Sequence, residues 1–289
     1  MKKILLLLLI VTVTQIFSQT VDINTLKQSL KTAKEDTNKV NNYLLLSKML
    51  YKTSVYEASL ENANNAKALA EKLEYKSGIA SSLSSISMVY FYQGKYPESI
   101  KIQNDAIKIR EELGEKRNVA ASYIIIANVN GMQKNYQESI KNNQAALKIM
   151  EEISDKQGIA SCYGNIGEAY YRLNNYTDAL KNDFDALKIY EEIGFKKGVG
   201  TTYNNIGNVY RNQRFYDDAL KYHLSSLKIR EEIGDKWDIA ASLANIGKLY
   251  KELDKLKDSK KYYKKALDMA KEIGALDLEK RIERMMEEK

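Results

Sequence analysis

The side chains in this sequence that could do chemistry are paired glutamates, one histidine and one cysteine. The glutamates recur as Glu111-Glu112, Glu151-Glu152, Glu191-Glu192 and Glu231-Glu232. Two carboxylates sharing a site can act as general acid and base. Neighbours on a helix, however, point about 100° apart, so these pairs read as a solvated face. His223 is the only histidine; Asp218 lies five residues before it and Ser226 three after. No second metal ligand stands one helical turn away, so neither a metal site nor a base with its nucleophile is assembled. Cys162 stands where other repeats carry Ser82, Ser122, Thr202 and Ser242. That reads as a small packing position, because a reactive thiol needs an electropositive setting. No phosphate-cradling loop, zinc pattern or nucleophile elbow is present. The expectation is a non-enzyme without metal or cofactor.

The elements that position these residues are repeated. Tyr203, Ile206, Gly207 and Tyr210 have counterparts forty residues earlier in Tyr163, Ile166, Gly167 and Tyr170, and forty later in Leu243, Ile246, Gly247 and Tyr250. The register runs back through Tyr123, Leu83 and Tyr43. It divides the chain into 37–76, 77–116, 117–156, 157–196, 197–236 and 237–276. With one proline and 14 glycines in 289 residues, the chain favours helix, since proline costs roughly 3 kcal/mol inside one. A hydrophobic share of 44% with 29% charged residues excludes disorder and a membrane bundle.

Each unit reads as two helices. Tyr203, Ile206 and Tyr210 mark the first; a turn ends at Phe215-Tyr216; Ala219, Leu220, Leu227 and Ile229 mark the second. Glu98, Glu138, Asp178, Asp218 and Asp258 fall just inside the second helix, where a negative charge suits the helix dipole. Gly114, Gly194, Gly234 and Gly274 follow it, and Gly94 and Asn174 follow the first, as left-handed stop residues. Gly167, Gly207 and Gly247 in first helices, with Ala179, Ala219, Ser139 and Ser259 in second ones, let the two approach closely. The in-phase tyrosines read mostly as core. One pair cannot bury its apolar face alone, whereas stacked pairs can.

The pattern carried by Tyr163, Ile166, Gly167, Tyr170, Tyr176, Ala179, Leu180, Ala186 and Leu187 resembles the tetratricopeptide repeat. The period is 40 where the common repeat has about 34, and the usual closing proline is absent. That variant is similar to repeats of kinesin light chain, of cell-polarity adaptors and of bacterial sensory proteins. The first copy departs further, with Leu50 at a tyrosine position and Glu74 at a cap-glycine position. The resemblance implies an all-α fold, a right-handed α-solenoid of six helix-turn-helix repeats with a C-terminal capping helix. It also implies that the first helices line a concave face that binds extended peptides or partner helices.

On that face the resemblance places Asn165, Glu168, Tyr171 and Arg172; then Asn205, Asn208, Arg211 and Asn212; then Asn245, Lys248, Lys251 and Glu252. Arg211, Lys248 and Lys251 suit a carboxylate. Asn165, Asn205 and Asn245 form a ladder whose amides suit a peptide backbone; they equally suit a neighbouring helix, and both readings stand. Earlier repeats are apolar there: Met88, Phe91 and Tyr92, then Ile124, Ile125 and Met132. Exposed apolar positions mark interaction sites, unless a local shift of register makes one isoleucine core.

The ends differ from the repeats. Lys2 and Lys3, an apolar run over residues 4–13, and Ser18 before Gln19 read as a signal peptide over residues 1–18. Residues 19–36 form an N-terminal segment with a short helix over 22–34. Residues 277–289 form a capping helix with a stripe of Leu278, Ile282 and Met285. Cleavage takes the formal charge from +7 to +5 by removing two lysines. A periplasmic or secreted location follows, with a protein or peptide as partner and no nucleic acid. The competing reading is a sensory module acting in trans with a membrane-bound signalling partner, a histidine kinase or transcription regulator. No kinase core or DNA-binding segment is recognisable after residue 276.

Overall fold

Two apolar stripes at helical spacing in each forty-residue unit leave the chain one way to bury them, as paired helices. A computed structural model describes residues 22–287, and these hold fourteen helices and no strand. The signal-peptide reading of residues 1–18 lies outside the described residues.

Helix α1 (Ile23–Thr32) precedes six pairs: α2 (Thr37–Lys52) with α3 (Tyr56–Lys72), α4 (Lys76–Tyr92) with α5 (Tyr96–Glu112), α6 (Lys116–Met132) with α7 (Tyr136–Glu152), α8 (Lys156–Arg172) with α9 (Tyr176–Glu192), α10 (Lys196–Asn212) with α11 (Tyr216–Ile233), and α12 (Lys236–Glu252) with α13 (Leu256–Glu272). Helix α14 (Leu276–Glu287) closes the array. The short first helix stops at Ala33, two residues after Lys31, because Ala33 is already extended.

The turns are more regular than the sequence. A left-handed residue recurs every twenty positions from Ser54 to Gly274, with φ between 52° and 80°. Glycine or asparagine occupies Gly94, Gly114, Asn174, Gly194, Gly234 and Gly274, while Ser54, Glu74, Lys134, Ser154, Arg214 and Asp254 adopt the same conformation. At Gly94 the N–H bonds Phe91 O (3.0 Å) and the N–H of Lys95 bonds Tyr90 O (2.8 Å), which satisfies the last carbonyls of α4. The cooperativity of stacking imposes this geometry even on side chains that resist it.

Each helix packs on the next, and the approaches that skip an element are between first helices, α2 with α4 and α8 with α10, or between α12 and α14. First helices therefore line the inner side of the curve. Within pairs the close contact runs through small residues. Ser87 Oγ donates to Ser99 O (2.9 Å); Ala179 and Ala219 are fully buried; and a Cβ on Gly167 would stand 3.2 Å from Ala179 O. The apolar core is a series of local clusters along the array. Leu26 and Leu30 of α1 cover Leu46 and Leu50 at one end; Leu278 and Ile282 of α14 cover Ile246 and Tyr263 at the other, with Met285 alongside.

The tyrosines correct one expectation. Only Tyr51, Tyr190 and Tyr263 are buried among the described residues; most are half-buried at seams, such as Tyr210 stacked on Tyr222 with ring centres 5.5 Å apart. A phenol covers apolar surface with its ring and keeps its hydroxyl wet.

Candidate binding face

On the inner side, residues 41 apart meet across the seam between repeats. Tyr51 stacks on Tyr92 at 5.1 Å and 21°. Asn212 Nδ2 donates to the Tyr171 hydroxyl at 3.0 Å. Arg211 Nε faces Glu252 Oε1 at 3.9 Å. These rungs order the wall of the concave face.

Between α6 and α8 the wall opens into a pocket of about 520 Å³. It joins the two halves that the sequence separates: Phe91 and Met132 from the apolar half line it together with Asn165, Glu168 and Arg172. Met132 is 60% exposed, an unusual state for a large apolar side chain inside a groove. Arg172 Nε donates to Glu168 Oε1 at 2.7 Å, one turn apart on α8, so the rim carries a preformed ion pair. Phe91 packs edge-on against Tyr92 at 5.2 Å, extending an aromatic surface toward the first repeats.

The remaining predicted residues divide by environment. Asn165 Nδ2 donates to Asn143 Oδ1 of the preceding repeat (3.3 Å) and Asn245 Nδ2 to Asn204 Oδ1 (2.8 Å). Asn205 approaches Asp183 and favours its charged form. The ladder thus spends polar capacity on the seams. Asn208 and Lys248 are half-buried on the inner face. Lys251 donates to the carbonyls of Met285 (3.0 Å) and Met286 (2.9 Å), at the end of α14 where helix carbonyls lack partners. Ile124 packs against the cluster of Ala120, Met150 and Cys162; Ile125 and Met88 are half-buried, and Tyr92 is exposed.

The residues singled out for chemistry are engaged in surface ion pairs or buried in the core. The second glutamate of each pair meets the lysine that opens the first helix of the same helix pair: Lys76–Glu112 at 3.7 Å, Lys116–Glu152 at 3.3 Å, Lys156–Glu192 at 2.5 Å and Lys196–Glu232 at 2.8 Å. Glu191 accepts from the Tyr203 hydroxyl at 3.0 Å. Cys162 is fully buried, and burial, followed by the charges of Asp155 and Glu151, pushes its thiol up to about 12, which keeps it protonated and inert. His223 is 1% exposed. Burial and the nearby Arg211 and Arg230 hold its imidazole down to about 3, so it is neutral.

Asp183 occupies the His223 position one repeat earlier. It is 1% exposed, and burial, with the Glu168 charge adding to it, pushes the carboxyl up to about 8. The forty-residue offset from His223 marks it in the sequence. Gln103, Asn143, Asp183, His223 and Tyr263 form one buried column just behind the first helices.

Family models described as tetratricopeptide repeat match residues 118–192, 198–272 and 79–113. No curated protein matches the chain. Among solved structures, BtubC (BKLC) from P. vanneervenii superposes with a TM-score of 0.67 at 18% identity, over 76% of this chain and 92% of that one. A Rap protein complexed with competence and sporulation factor gives 0.64 at 16%, over 91% and 78%. The apo quorum sensor NprR from B. thuringiensis gives 0.61 at 17%, over 90% and 73%. At these identities the likeness is one of fold.

Proposed function

Because the chain belongs to the tetratricopeptide repeat family, we propose that it is an exported binding scaffold that takes a protein or peptide segment on its concave face. The observation that carries this reading is the pocket between α6 and α8, where the exposed Met132 stands beside the Glu168–Arg172 pair. Apolar surface beside oriented polar groups is how small sites combine affinity with specificity. The Rap protein solved with competence and sporulation factor is a similarly folded array holding a partner. Lys2, Lys3 and the apolar run over residues 4–13 support export; no helix among the described residues is long and apolar enough to cross a membrane.

The test is a cross-linked pull-down from cell envelopes with wild type, a concave-face variant (Met132→Asp with Arg172→Glu) and an outer-face variant (Lys101→Glu with Lys188→Glu). Partners lost only by the concave-face variant support the reading; identical partner sets from all three overturn it. The quorum sensor NprR among the similar folds favours a second reading, a sensory array that acts on a membrane-bound signalling partner. A ligand-dependent change of radius of gyration, seen by small-angle scattering, supports that reading.

A further inference from the structure

The pocket between α6 and α8 exists because one position in the row lacks a side chain. At equivalent places in successive repeats the chain carries Tyr51, Phe91, Gly131, Tyr171, Arg211 and Lys251. Tyr51 stacks on Tyr92, Tyr171 accepts from Asn212, and Arg211 faces Glu252: each reaches the residue 41 further on. The residue 41 beyond Gly131 is Arg172, and glycine offers it nothing. Arg172 instead folds back onto Glu168 and lies 5.7 Å from the centre of the Tyr171 ring. The rung that Tyr51 and Tyr171 each build from a ring is open here, and it opens into the pocket.

We infer that this opening accepts an aromatic side chain from the bound segment, which completes the row in trans. The inference rests on the concave-face reading above and names the ligand class: an extended peptide that presents a phenylalanine, tyrosine or tryptophan. Three features favour a ring over other side chains. The residues before and after Gly131 in the row are the rings of Phe91 and Tyr171. Met132 and Phe91 line the wall, and both thioether and ring make favourable contacts with an aromatic edge or face. Lys134 stands on the rim, and its charge attracts the negative face of a ring, while the Arg172 charge is already matched by Glu168. A volume of about 520 Å³ holds one aromatic group and part of its backbone, within the roughly 300–1,000 Å³ of small-ligand sites. Asn128 and Asn165, also in the lining, offer donors and acceptors to that backbone.

The chain supplies its own blocking variant. A Cβ on Gly131 would meet nothing closer than Ser139 Oγ at 3.8 Å, and the position is helical, so Gly131→Phe places the missing ring in cis. It is expected to melt at or above wild type. A random-peptide phage library is panned on wild type, and selected peptides are measured on wild type, Gly131→Ala and Gly131→Phe. The expected result is a shared aromatic position among the selected peptides, near-wild-type binding by Gly131→Ala, and a loss of about tenfold or more in Gly131→Phe, as for an anchor residue. If Gly131→Phe does not fold, Asn128→Tyr closes the pocket from an exposed position and is read the same way. Peptides that need Met132 and Arg172 but share no aromatic position, or that bind Gly131→Phe as well as wild type, overturn the inference and leave the groove reading standing. Selection of no peptide sensitive to the concave face overturns both. A wild-type dimer in sedimentation that Gly131→Phe dissociates assigns the pocket to a second copy of the chain and overturns the peptide assignment.

Discussion

The imidazole of His223 fills the space in which Gly207 would carry a side chain: a Cβ on Gly207 would stand 2.9 Å from both Nδ1 and Cε1. The same complementarity runs along the buried column. Asp183 Oδ1 lies 2.9 Å from the Cβ position of Gly167, and the Tyr263 ring 3.0 Å from that of Gly247. Gly167, Gly207 and Gly247 are there because a large polar or aromatic side chain of the second helix lies against each of them.

Gly207→Ala is therefore expected to destabilise the array by about 1–3 kcal/mol, the usual effect of overpacking. His223→Ala in the same background should recover part of that loss, since the methyl then has room. Denaturant unfolding of the two single variants and the double variant gives the coupling. Additive effects would remove the contact as the reason for the glycine.

Stability should fall with rising pH between about 6.5 and 8. Burial pushes the Asp183 carboxyl up to about 8 from its ordinary 3.8, so the fold holds a proton across that range that the unfolded chain has released. Stability then declines as pH rises from about 4 and levels off above 8. His223 works in the opposite sense lower down. With its imidazole held down to about 3 against an ordinary 6.5, the unfolded chain binds the extra proton, and stability rises from about pH 3 to 6.5. The two slopes oppose each other until about 6.5, and Asp183 acts alone above that. Asp183→Asn, the amide already present as Asn143, should flatten the upper decline, which is at most about 1.4 kcal/mol per pH unit for one proton. Thermal midpoints of both proteins across pH 6–9 check this; a wild-type curve that is flat from 6.5 to 8 overturns it.

A second set of paired residues joins the end of one second helix to the start of the next first helix. Tyr190 packs where Gly198 would carry a Cβ, at 2.6 Å, and its hydroxyl lies 2.9 Å from Ser161 Oγ. One repeat on, Arg230 donates to Ser242 Oγ (2.7 Å) and to the carbonyl of Asp238 (3.2 Å). Arg230→Tyr alone should destabilise by about 2 kcal/mol because Asp238 keeps a Cβ in the ring's path. Adding Asp238→Gly should restore most of that, with Thr201 at the Ser161 position to meet the hydroxyl. Equal stability of the single and double variants would show that the two sites do not couple.

Arg214 holds a left-handed conformation with φ of 64°, which costs a residue with a Cβ roughly 1 kcal/mol relative to glycine. Arg214→Gly is expected to raise stability by about 0.5–1 kcal/mol, the lower figure allowing for glycine's greater entropy when unfolded. Hydrogen exchange in α10 and α11 reads the change locally, as suits an array that opens by segments; faster exchange there would contradict it.

The periodic positions of the sequence determined much of this protein. Tyr203, Ile206 and Tyr210 recurring every forty residues imply paired helices, because local helix geometry decides which side chains share a stripe. Leu278 and Ile282 at one-turn spacing likewise mark the face that α14 buries. The stop residues were legible only where glycine or asparagine carries the signal; Glu74, Lys134 and Arg214 adopt the same geometry because stacking, which no local residue reveals, forces it. Tertiary structure alone decided the cross-seam relationships. Asn165 meets Asn143, Lys251 reaches the end of α14, and Gly131 leaves Arg172 without a counterpart. Those contacts depend on the offset between adjacent helices set by packing, and a forty-residue period in the sequence does not contain that offset.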